Sequence, residues 1–118
     1  MKTLIAILFV MMIAFGCGKS FTKEDVVGTY EEVGFKSPNR LGLFSDGTVY
    51  HLNKKGERER KFGKWKISGK EVHTTDANPG ADIFRIEPNG DLTYIGIIQD
   101  GERGELRKEF HQTFKRIK

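Results

Sequence analysis

One cysteine, one tryptophan and three histidines are all that 118 residues offer of those types, and each scarcity excludes something. A lone cysteine leaves no disulfide, so the folded domain must be held by burial and hydrogen bonding. The histidines, His51, His73 and His111, show no close ligand spacing. A two-histidine metal site is conceivable only if the strands carrying His51 and His73 were neighbours with an acidic residue beside them, and no metal is expected. Ser20, Ser37, Ser45 and Ser68 fall in the leading tether or in turns, and none stands in a Gly-x-Ser-x-Gly elbow. No glycine loop of the phosphate-cradling kind occurs. The adjacent carboxylates Glu31 and Glu32, and the pair Glu57 and Glu59, alternate with residues expected at the surface, without the burial that raises a carboxyl pKa for acid catalysis. A non-enzymatic protein without cofactor is the expectation.

Long apolar runs are also missing. The longest, residues 4–15, is about a dozen residues, whereas a span of the bilayer needs roughly 20. With Lys2 before it and the small Gly16 directly before Cys17, this run has the layout of a secretory signal. Ala14-Phe15-Gly16-Cys17 resembles a bacterial lipobox, which implies cleavage before Cys17 and a diacylglycerol on its sulfur. The expected organisation is a lipoprotein signal peptide at 1–16, a lipidated Cys17 with a tether to residue 25, and one domain over 26–118. The resemblance places the protein in the cell envelope, anchored by lipid to the outer membrane of a Gram-negative cell or to the outer face of a plasma membrane. Gly18, rather than aspartate, after Cys17 would let it leave the inner membrane.

What is present in abundance is strand and turn. Within 18–25, Thr22 and Asp25 stand three apart in the manner of a capping box and open one helical turn at most. From Val26 the pattern has period two, with Val27, Thr29 and Glu31 on one side and Val26, Gly28, Tyr30 and Glu32 on the other. Apolar runs flank Ser45-Asp46-Gly47, a tight hairpin signal, and residues 53–61 read as a charged, exposed and mobile connection. Phe62 to Ile67 alternates, turns at Ser68-Gly69-Lys70 and returns at Glu71 to Thr74, with Lys64 and Lys66 pointing to water. A turn-rich stretch at 76–80 precedes Ile83 to Ile86, and Pro88-Asn89-Gly90-Asp91 turns the chain into Leu92 to Ile98. Residues 100–104 break the chain again. The final run suits either helix or strand by spacing, and a closing strand from about 110 to 117 is favoured because it would cover an open edge. Seven or eight short strands without a secure helix predict an all-β fold, an antiparallel barrel or sandwich, and closure, which removes exposed edges, favours a small up-and-down barrel.

Val27-Gly28-Thr29-Tyr30 resembles the Gly-x-Trp signature of lipocalins and related calycin barrels, with Tyr30 where the tryptophan would stand. The Phe44-Ser-Asp-Gly-Thr48 hairpin and Gly63-Lys64-Trp65-Lys66-Ile67-Ser68-Gly69 are similar to segments of small bacterial lipocalin-like lipoproteins. The resemblance implies that Arg116 packs over Tyr30. It also implies an interior that binds a small hydrophobic or amphiphilic ligand, with Tyr30, Phe44, Tyr50, Trp65, Phe84 and Tyr94 as the lining. The chain is shorter than a typical lipocalin, so space inside is scarce.

Charge points to a second use. The net charge is +4, with basic and acidic residues interspersed. Lys54, Lys55, Arg58, Arg60, Lys61, Lys64 and Lys66 would offer a basic outer face to another envelope protein, a foreign protein or anionic headgroups. Nucleic acid is not an expected partner of an exported, lipid-anchored chain. A protein-interaction module acting through this outer face is the leading expectation, and ligand binding inside the barrel the alternative.

Overall fold

The computed structural model describes residues 21–75 and 80–118. The expected signal peptide, Cys17 and residues 76–79 of the turn-rich stretch lie outside the described residues. One helical turn, α1 (Lys23–Val26), leads into nine strands: β1 (Gly28–Glu32), β2 (Arg40–Leu43), β3 (Thr48–Leu52), β4 (Arg58–Ser68), β5 (Glu71–Thr75), β6 (Ala81–Ile86), β7 (Leu92–Gln99), β8 (Glu102–Glu105) and β9 (Gln112–Arg116). A 3-10 turn, Lys108–Phe110, precedes the last.

Neighbours in sequence pair antiparallel from β1 to β7. The ring closes because β9 pairs with both β1 and β7. Eight strands therefore form a closed antiparallel barrel, whose backbone polar groups need no outside partner. β8 is an addition to that ring. The first half of β7, Leu92 to Tyr94, pairs with β9, while Gly96 to Gln99 pairs with β8. The chain parts company at Gly96, where a Cβ would stand 2.4 Å from the Gly104 carbonyl oxygen. The break expected over 100–104 is thus only a two-residue turn, with Asp100 and Gly101 both at positive φ, and Glu102 onward is strand.

The turn chemistry follows the sequence closely at 44–48. Phe44 N–H donates to Thr48 O, Gly47 adopts φ +86°, and Asp46 accepts from the Thr48 hydroxyl at 2.6 Å. The connection expected over 53–61 is shorter than its charge suggested. Asn53 folds it into a turn by accepting from the N–H groups of Lys55 and Glu57, and Arg58 to Lys61 belong to β4.

One end of the barrel is filled. Val26, Tyr30, Leu43, Trp65, Val72, Ile86 and Leu92 are buried there, and α1 and Phe21 pack against them. Trp65 donates its indole N–H to the Phe44 carbonyl at 2.8 Å. Tyr30 donates its hydroxyl to Val26 O, and burial pushes that hydroxyl up to about 12. Arg116 pairs with Tyr30 across β1 and β9 and holds the carbonyls of Asp25 and Val27 at 2.6 and 2.7 Å. Its guanidinium lies over Gly28, where a Cβ would meet it at 3.1 Å. The expected proximity of Arg116 and Tyr30 is therefore seen as a plug at the closed end.

Candidate functional site

The opposite half of the barrel interior is hollow. A cavity of about 230 Å3 is lined by Glu32 of β1, Leu41 of β2, Val49 and His51 of β3, Phe62 of β4, Thr74 of β5, Asp82 and Phe84 of β6, Tyr94 of β7, and Gln112 and Phe114 of β9, with Asn39 at its rim. Every strand of the closed ring contributes, so this is the inside of the barrel rather than a surface dimple. Its size lies just below the usual range of ligand pockets, roughly 300 Å3 upward, and above the ~150 Å3 that admits a benzene ring.

Aromatic rings form one wall. Phe84 stands 5.3 Å from Tyr94 and 5.6 Å from Phe114, the latter edge-on. His51 meets Phe62 edge-on at 5.0 Å. Polar groups form the rest. Glu32, only 9% exposed, accepts from the Asn39 backbone N–H and side-chain amide, both at 3.3 Å. Tyr94 donates its hydroxyl to Asp82 at 3.1 Å, and burial followed by the Asp82 charge pushes that hydroxyl up to about 12. Burial, with the nearby Arg60 charge second, holds the His51 imidazole below its ordinary pKa, hence neutral at pH 7.

Two buried atoms of this lining, His51 Nε2 and Thr74 Oγ1, have no hydrogen-bond partner among the described residues. Thr74 is 2% exposed. An unmade hydrogen bond on a buried group costs about 1–3 kcal/mol, so both atoms favour whatever fills the space and bonds to them. Beside the mouth lies a shallow groove that shares Gln112 with the cavity and carries the exposed side chains of Val33, Phe35 and Phe110.

No protein-family model, curated protein or solved structure matches this chain. Its chemistry must be read from its own residues.

Of the six aromatic residues expected to line the interior, Phe84 and Tyr94 do so. Tyr30 and Trp65 face inward but fill the closed end. Phe44 and Tyr50 are on the outer wall, because Gly42 opposite Tyr50 leaves a gap that the Phe44 ring covers. There the two rings meet edge-on at 5.5 Å, and the Arg58 guanidinium stacks over both at 4.1 and 4.8 Å. The seven basic residues expected on the outer face are all exposed, but Arg60 pairs with His51 and so shares the inward register at the open end instead of the outer face. Arg58 is at the same time engaged with these rings.

Glu32 corrects the sequence reading, which saw no sign of burial in the Glu31 and Glu32 pair. It shares the inward register of Tyr30 and is buried in the lining. The two histidines weighed as a metal pair are on opposite faces of the wall. His51 points inward, while His73 alternates with the inward Val72 and Thr74 and bonds Glu71 outside at 3.0 Å. Among the described residues no group of three or more His, Cys, Asp or Glu side chains could hold a metal ion.

Proposed function

We propose that this chain is a lipid-anchored, lipocalin-like binding protein of the cell envelope that takes a small amphiphilic molecule into the open half of its barrel. One observation carries the reading: a hollow of about 230 Å3, walled by Phe62, Phe84, Tyr94 and Phe114, whose lining residues His51 and Thr74 each hold a buried side-chain atom, Nε2 and Oγ1, without a partner among the described residues. Convergent polar groups in a mostly apolar pocket are the usual form of a small-molecule site. The apolar rim of Val33, Phe35 and Phe110 suits a ligand part that protrudes from so small a space. Because Phe21 and α1 pack at the filled end, a lipid at Cys17 would hold that end toward the membrane and turn the mouth outward.

The test is native mass spectrometry of the full chain purified gently from envelope membranes. A small-molecule adduct is expected, lost in Leu41→Phe, which narrows the cavity, while circular dichroism stays that of the parent. An adduct indifferent to that substitution contradicts the reading.

A second reading keeps the outer wall as a protein-binding face, on the observation that Lys54, Lys55, Lys61, Lys64 and Lys66 are all exposed on one turn and one long strand. In the same spectra it predicts a retained protein and no small molecule.

A further inference from the structure

Resting on the ligand-binding reading, we infer that the molecule taken into the cavity is a small organic cation, an amine with an aromatic or compact apolar body. The lining holds, among the described residues, two carboxylic residues, Glu32 and Asp82, and neither a lysine nor an arginine. Among the described residues no arginine or lysine forms an ion pair with Glu32, whose partners are the two long contacts from Asn39. A carboxylate buried in the lining, with only two long hydrogen bonds beside it, gains from a cation brought next to it.

The rest of the lining points the same way. His51 is held neutral by its burial, so it offers an incoming anion no charge. In the tautomer protonated on Nδ1, its unpartnered Nε2 is an acceptor for an ammonium N–H. Thr74 Oγ1, also unpartnered and almost wholly buried, is a second acceptor on the neighbouring wall. Phe84 and Phe114, packed edge-on against each other, add the aromatic lining that both an apolar body and a cation favour. Arg60, the cation nearest His51, is its cross-strand partner and stands exposed at the mouth, outside the described lining. An anionic ligand would have to enter beside two acidic residues, with no lysine or arginine in the described lining. A neutral one would leave the buried Glu32 as it is.

Three probes of one shape separate the possibilities. The full chain is titrated at pH 7.5 with benzylamine, benzyl alcohol and benzoate, followed by the amide and aromatic NMR shifts of cavity residues. Benzylamine is expected to bind at least about tenfold tighter than benzyl alcohol, the scale of a hydrogen bond to a charged group, and benzoate weakest of the three. Glu32→Gln is expected to bring benzylamine down to the level of benzyl alcohol and to leave the alcohol unchanged. Asp82→Asn serves as the second variant should Glu32→Gln fold poorly, with the same loss expected. If the alcohol or benzoate binds as tightly as the amine, or if both variants keep the amine preference, the inference is wrong while the binding barrel stands. If none of the three shifts the cavity resonances, the binding reading falls with it.

Discussion

Thr74 separates a structural residue from a ligand-binding one. A buried hydroxyl without a partner burdens the fold, so Thr74→Val, which keeps the shape and removes the oxygen, should leave stability unchanged or raise it by up to about 1 kcal/mol. The same change should weaken a ligand that bonds this oxygen, by about five- to tenfold. Urea denaturation and ligand titration on one sample check both. Trp65 behaves in the opposite way. It is 4% exposed in the filled end and away from the cavity, so Trp65→Ala should cost about 3–5 kcal/mol of stability, and a loss of binding in that variant would report unfolding rather than a lost contact. The unequal legibility of these residues has a plain cause. The alternation that places Tyr30 inside also places Glu32 inside, and the same step of two joins Val72 to Thr74 and Val49 to His51. Alternation alone puts these polar residues on the inner face, but it does not say that the inner face is hollow enough to hold them. Phe62 was hidden for another reason: the register shifts between Val49 and Tyr50, and such a slip breaks the period-two rule.

At the scale of elements, the β7–β8 hairpin is the departure from a plain meander. It lies against the outside of β5, where Arg103 grips both carboxylate oxygens of Glu71 at 2.8 and 2.6 Å and also reaches Glu105 at 3.0 Å. His73 and Ile83, opposite each other on the outward face, are buried there. The Arg103 fork, ahead of the His73 contact, pulls the Glu71 carboxyl down to about 2 from an ordinary 4.5. A carboxyl lowered in the folded state contributes stability that is complete above about pH 4.5 and disappears as the pH falls toward 2. Glu71→Gln should therefore cost at most about 1 kcal/mol at neutral pH, as expected of a partly exposed pair, and should flatten the fall of the urea midpoint between pH 4.5 and 2. A parent and a variant with parallel pH profiles would show that the pair does not anchor the hairpin. β8 itself was hard to foresee: Glu102-Arg103-Gly104-Glu105 is exposed throughout and has no apolar alternation. The closing strand was easier, because Phe114 needed a core face and β1 and β7 needed a partner.

Over the whole molecule the barrel is two halves of different character. The closed half is packed by aromatic and branched side chains and tied by Arg116 to the carbonyls before β1. The open half encloses a hollow with unmet hydrogen bonds. Local stability follows packing, so amide hydrogen exchange should be slowest around Tyr30, Leu43, Trp65 and Leu92. It should be faster around His51, Thr74 and Gln112, and ligand should slow the second group more than the first. Strand order and closure were legible from turns and alternation, since each hairpin is encoded locally. The hollow was not, because the space left inside depends on how side chains from eight strands meet. The measurement that bears most directly on the account is a set of intermolecular nuclear Overhauser effects between bound benzylamine and the protein. Contacts from the probe's ring protons to Phe84, Phe114 and Thr74, and none to Phe44 or Tyr50, are the expected result. Contacts to the outer pair with silence from the inner wall would contradict it and return the function to the outside of the barrel.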